Sequence, residues 1–130
     1  MLKALLPAVI FIPAFAAQSA PTSWICQNTA AEISCGDGAC EVSTDAFTPM
    51  SITVATDASV SFCAYTGCWE GRAETMTTTG TRQNWTGTDL RWSQTPDAPG
   101  VTGSLTIDTK TKVGTVLIGG FAQPVLCEGS

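Results

Sequence analysis

Six cysteines, Cys26, Cys35, Cys40, Cys63, Cys68 and Cys127, all follow an N-terminal stretch with the pattern of an export signal. Thiols persist in the cytosol and pair in the periplasm, the secretory lumen or outside the cell, so the chain is expected to fold as a disulfide-braced extracytoplasmic domain. The leading stretch carries Lys3, an apolar run from Ala4 to Phe15, and an A-x-A cleavage site at Ala14-Phe15-Ala16. Pro7 and Pro13 interrupt this run, and it falls short of the roughly 20 apolar residues that a membrane helix needs. Residues 1–16 therefore read as a removable signal, with no membrane anchor left after cleavage. Cys26 follows Thr22-Ser23-Trp24-Ile25, which is a poor match to the small-residue box of a lipoprotein. The expected location is periplasmic or secreted.

Residues 17–130 suffice for one domain with one modest core, and a monomer is expected. The whole chain has a net charge of −5, and loss of Lys3 makes the remainder one unit more negative. The remaining cations, Arg72, Arg82, Arg91, Lys110 and Lys112, are scattered and form no basic stripe, which argues against nucleic acid or an anionic membrane surface as partner. The sequence contains no histidine, so the commonest general base, the commonest metal ligand and every imidazole-based triad are missing. With the cysteines oxidised, thiolate catalysis and Cys-ligated zinc lose their ligands too. No catalytic residue, metal or cofactor is expected.

Beyond Ala46 the chain is rich in Thr, Val, Ile and aromatic residues and breaks at Gly, Pro or Asp every eight to twelve residues. This predicts an all-β fold. Strands are expected near Met50 to Ala55, Ser59 to Ala64, Cys68 to Thr77, Thr88 to Ser93, Thr102 to Asp108, Val113 to Ile118 and Ala122 to Cys127. An antiparallel meander of seven to eight strands with one apolar face must close on itself or pack on a second sheet, giving a barrel or barrel-like sandwich. Residues 17–45 read as a Cys-rich cap or short strands that fold as one unit with the β-domain at 46–130.

Strand alternation fixes a register between Met50 and Thr75. If Cys63 sits opposite Cys68 across the loop Ala64 to Gly67, then Phe62 faces Trp69, Ser61 faces Glu70 and Ser59 faces Arg72. Pairing Val54 with Val60 brings Ile52 opposite Phe62 and Met50 opposite Ala64. Apolar side chains then share one face, while the cysteines, Glu70, Arg72 and Glu74 share the other. The turn Thr56-Asp57-Ala58 strains this scheme, because a three-residue loop prefers glycine at its left-handed position. Opposed positions put Cys63 and Cys68 within bonding range. The remaining pairs are expected to be Cys35 with Cys40 and Cys26 with Cys127, the alternative being an exchange among those four.

Three clusters invite functional readings. Glu70 and Glu74 could be a glycosidase pair, but four residues along a strand rise about 13 Å, against roughly 5 to 9.5 Å for paired catalytic carboxylates. The bland reading has Arg72 bridging them on a solvated face. The loop Cys35-Gly36-Asp37-Gly38-Ala39-Cys40, flanked by Glu32, Glu41 and Asp45, gathers oxygens suited to calcium but lacks any EF-hand spacing. It reads more simply as a disulfide-closed turn. Of four tryptophans, Trp69 and Trp92 are expected in the core, which leaves Trp24 and Trp85 as exposed indoles that could stack on a sugar. Asn84-Trp85-Thr86 also matches the N-glycosylation acceptor.

The function expected from these features is a non-enzymatic binding module for an envelope or extracellular protein. The alternatives are a small-ligand or glycan carrier, which needs a cavity, and a hydrolase using carboxylates alone, which needs two converging acids.

Overall fold

The computed structural model describes residues 10–13, 23–28 and 30–130. The predicted signal falls mostly outside the described residues. Eleven strands carry the fold: β1 (Trp24–Gln27), β2 (Glu32–Gly36), β3 (Ala39–Ser43), β4 (Ser51–Val54), β5 (Ser59–Cys63), β6 (Cys68–Arg72), β7 (Thr75–Thr79), β8 (Arg82–Trp92), β9 (Val101–Asp108), β10 (Val113–Ile118) and β11 (Phe121–Gly129). There is no helix among the described residues. Eight strands close an antiparallel barrel in the order β1-β4-β5-β6-β8-β9-β10-β11, and β11 returns to β1. The barrel, rather than the sandwich, is the observed solution.

Three strands leave this ring. β1 and β2 lie end to end along β11, with β1 pairing its C-terminal part and β2 pairing Phe121 and Ala122. In the same way β6 and β7 lie end to end along β8. At one end of the barrel β2 carries β3 on its outer edge, and at the other end β7 forms an open edge. The single strand expected from Cys68 to Thr77 is thus two strands, broken at Ala73 and Glu74, and the strand expected from Thr88 begins six residues earlier, at Arg82.

The predicted register holds across both hairpins. Val54 pairs Val60 and Ile52 pairs Phe62, while Cys63 pairs Cys68, Phe62 pairs Trp69, Ser61 pairs Glu70 and Ser59 pairs Arg72. Ala58 takes the left-handed position in spite of its side chain, at φ 70°. Inward side chains fill the barrel, among them Trp24, Ile52, Phe62, Trp85, Leu90, Leu105, Ile107 and Val116, all buried. Gly87 and Gly103 face inward where a Cβ would fall 2.8 and 2.6 Å from Leu90, so their lack of a side chain makes room for it. Between Gly87 and Leu90 the ladder with β9 is bulged. Glu74 serves this bulge, accepting from Thr88 N at 2.8 Å and Thr88 Oγ1 at 3.1 Å.

Disulfides join Cys26 to Cys127, Cys35 to Cys40 and Cys63 to Cys68, and no cysteine is free. The first lies inside the barrel across the closing strands, with both residues buried. A full complement of pairs is the chemistry of an oxidising compartment.

Candidate functional site

The expected exposed indoles are not where the sequence suggested. Trp24 and Trp85 are 1 % and 3 % exposed, inside the barrel. β1 alternates Trp24 in, Ile25 out, Cys26 in, and the Trp24 indole donates to Gln83 Oε1 at 2.8 Å. Trp85 is mid-strand in β8, opposite Leu105, and the turn read from Asn84 to Gly87 does not exist. Asn84 is likewise held in the ladder between Thr77 and Thr106, a poor presentation for glycosylation.

Trp69 and Trp92 correct the reading in the opposite sense. Both point to the inner face, as alternation requires, but each lies at the barrel's rim and is only half-buried. Their rings pack at 4.5 Å between centroids with a 55° tilt, a separation typical of favourable aromatic pairs. Together with Tyr65, Phe121 and Met50 they wall a groove of about 410 Å³, open to solvent, whose rim carries Glu32 and Thr48. The groove occurs where β2 parts from the barrel, so its walls come from strands distant in sequence.

Local chemistry holds the loop that presents Tyr65. The Cys63 to Cys68 disulfide closes its base, and Ala64 N donates to Gly67 O at 2.9 Å. Ser93 ties it to the end of β8, accepting from Cys68 N at 3.0 Å through its hydroxyl and donating its own N–H to Cys68 O at 2.8 Å. Gln94 Nε2 donates to Thr66 O. A Cβ on Gly67 would fall 2.9 Å from the Trp92 ring, so glycine lets the loop lie on the indole. On this fixed loop Tyr65 is 78 % exposed, and across the groove Phe121 is 38 % exposed.

The opposite rim is fixed by a buried amide. Gln123, 2 % exposed, donates through Nε2 to Glu32 Oε2 at 2.5 Å and to Thr48 O at 3.1 Å. The side chain therefore ties β2 and the segment before β4 to β11.

The acidic clusters find structural employment. Arg72 does not bridge Glu70 and Glu74; its guanidinium donates to Asp57 O in the β4–β5 turn, and Glu74 is occupied at the bulge. The ion pair present among the described residues joins Arg91 to Asp89 at 3.0 Å. Asp37 and Gly38, at φ 52° and 77°, form the two-residue turn of the β2–β3 hairpin, as Asp-Gly favours. No group of three potential metal ligands occurs among the described residues. Hydrogen bonds from the Ser59 hydroxyl and amide hold Asp57 below its ordinary pKa, and backbone amides of Thr111 and Lys110 do the same for Asp108. Both aspartates serve turns.

A second apolar feature lies on the outer wall, where Val42, Ile33, Ala122 and Leu117 form one cross-strand row over β3, β2, β11 and β10. Leu126, Val113 and Ile25 continue it toward the other end, all exposed.

Comparison with protein-family models, with curated proteins and with solved structures finds no match to this chain.

Proposed function

We propose that this protein is a non-enzymatic interaction module, exported to the periplasm or secreted, that receives a protruding side chain of a protein partner in the groove at the barrel mouth. The observation that carries this reading is an aromatic groove held open on a barrel whose interior is filled. Ligand sites favour concave, largely apolar surfaces, and barrel mouths are a recurrent place for them. The groove's open side suits a side chain on a protein surface better than an enclosed small ligand, which normally buries most of its own area. Aromatic anchors at the centre of a patch are the usual source of binding energy in protein interfaces.

The carrier alternative uses the same groove, whose volume lies near the lower end of the range for small-molecule sites. Site-specific photo-cross-linking in the source organism separates the readings. A photoreactive phenylalanine analogue at Tyr65 is expected to give one defined protein adduct, and the same analogue at exposed Leu126 is expected to give none. An adduct from Leu126 alone would move the interface to the outer wall. No protein adduct at Tyr65, with saturable binding of a chito-oligosaccharide to the groove, would favour the carrier.

A further inference from the structure

We infer that the side chain received by the groove is cationic, an arginine displayed by the protein partner; this rests on the reading of the barrel mouth as the recognition face. The walls are aromatic, and the face of an indole or phenol attracts a cation through its quadrupole, most strongly where water is displaced. Trp69 and Trp92 both line the groove, with their ring planes tilted by 55° to one another.

The one charged side chain among the described residues lining the groove is Glu32, an anion. Its position is not left to chance, because buried Gln123 anchors Oε2. Oε1 has no hydrogen-bond partner among the described residues, so an acceptor remains for an incoming N–H. A neutral apolar guest would cover this carboxylate without pairing it, which is costly. A guanidinium satisfies both halves of the site, since its plane stacks on aromatic rings and its N–H fork matches a carboxylate. Lysine would satisfy the charge but not the planar contact. The net charge of −5 also draws a basic partner surface toward the molecule.

The test uses the processed full chain and follows the four indole N–H resonances by NMR, assigned through Trp→Phe variants. N-acetyl-arginine-methylamide is titrated against its neutral isostere, N-acetyl-citrulline-methylamide, and against N-acetyl-leucine-methylamide. The arginine probe is expected to move the Trp69 and Trp92 signals saturably, to leave buried Trp24 and Trp85 in place, and to bind about tenfold more tightly than citrulline. Glu32→Gln keeps the acceptor for Gln123 and should remove about that tenfold margin. Rising salt should weaken arginine alone.

Citrulline or leucine binding as well as arginine, with Glu32→Gln silent, would overturn the cationic guest and leave the mouth as the recognition face. No movement of either groove indole by any probe would also overturn it. The Tyr65 cross-link then decides the wider reading: a protein adduct preserves it, and none removes it with this inference.

Discussion

Ala58 shows how a single residue can be held against its own preference. Its φ of 70° lies in the left-handed region, which costs an L-residue about 1 kcal/mol relative to glycine. Its backbone is nonetheless occupied on both sides, N donating to Ala55 O at 3.0 Å and O accepting from Ala73 N at 2.8 Å, while the methyl packs on the core. Ala58→Gly is therefore expected to gain up to about 1 kcal/mol, less what the lost methyl contact contributes. A urea midpoint unchanged or lowered would show that the methyl contact outweighs the strain. The neighbouring Asp57 and the equivalent Asp108 at the β9–β10 turn make a pH prediction. Both carboxyls are held below the ordinary value of 3.8 by the amides and hydroxyl they accept from. A depressed folded-state pKa stabilises above the unfolded value and is lost as pH falls through the folded one. Thermal midpoints should thus decline below about pH 4, and the double variant Asp57→Asn, Asp108→Asn should decline less steeply. Equal slopes for the two proteins would remove these turns from the acid response.

At the scale of elements, the β4–β5–β6 register was legible because period-two alternation and two facing cysteines leave one arrangement with an apolar face. Face is legible in this way; depth is not. Alternation assigned Trp69 and Trp92 to the inner side correctly, yet they stand at strand ends beside the Ala64 to Gly67 loop, and only the closed barrel shows that inner side to be a rim. Trp85 failed for a different reason. Asn84 and Gly87 carry turn chemistry, but Gly87 serves as the space into which Leu90 packs, and the 83, 85, 87 inward alternation is masked by Gln83 being polar. Trp24 was missed because β1 is only four residues long and its face is set by closure with β11. Tyr65, Phe121 and Glu32 share no local motif, so no reading of one segment could have joined them. The hairpin disulfide gives this scale its prediction. Closing a loop of separation 5 contributes about 2 kcal/mol in the chain-entropy model, against nearly 5 kcal/mol for a separation of 101. Cys63→Ser with Cys68→Ser should keep the fold at a lower thermal midpoint while loosening the Tyr65 loop, seen as faster amide exchange from 64 to 67. Cys26→Ala with Cys127→Ala should cost at least twice as much. A reversed order would mean that the denatured chain already holds these two strands close together, so that closing the larger loop saves little entropy.

The barrel is a ring closed by its first and last strands. Ser130 N donates to Ser23 O at 3.1 Å, and β1 pairs β11 from Trp24 with Gly129 to Gln27 with Leu126. Every other barrel contact is between strands that follow one another or are separated by one broken strand, except for β1 with β4. Closure is therefore the step that spans the greatest chain length, and it buries the Cys26 to Cys127 bridge within the core. Bringing together residues 101 apart rather than 5 apart costs roughly 2.5 kcal/mol more in loop entropy, equivalent to a nearly hundredfold lower effective concentration of one thiol at the other. Cys35 with Cys40 and Cys63 with Cys68 can meet inside isolated hairpins, each already placed by its own turn. Oxidative refolding of the reduced chain should accordingly form the two hairpin bridges first and the closing bridge last, with a two-disulfide species accumulating before the barrel is complete. Alkylation at timed intervals followed by peptide mapping checks this. An early single-disulfide species joining Cys26 to Cys127 would mean that the ends meet before the hairpins form, and that closure precedes the meander. Reduction of the folded protein should likewise reach the hairpin bridge first and the closing bridge last, because Cys35 and Cys40 are exposed whereas Cys26 and Cys127 admit a reductant only when the ring opens.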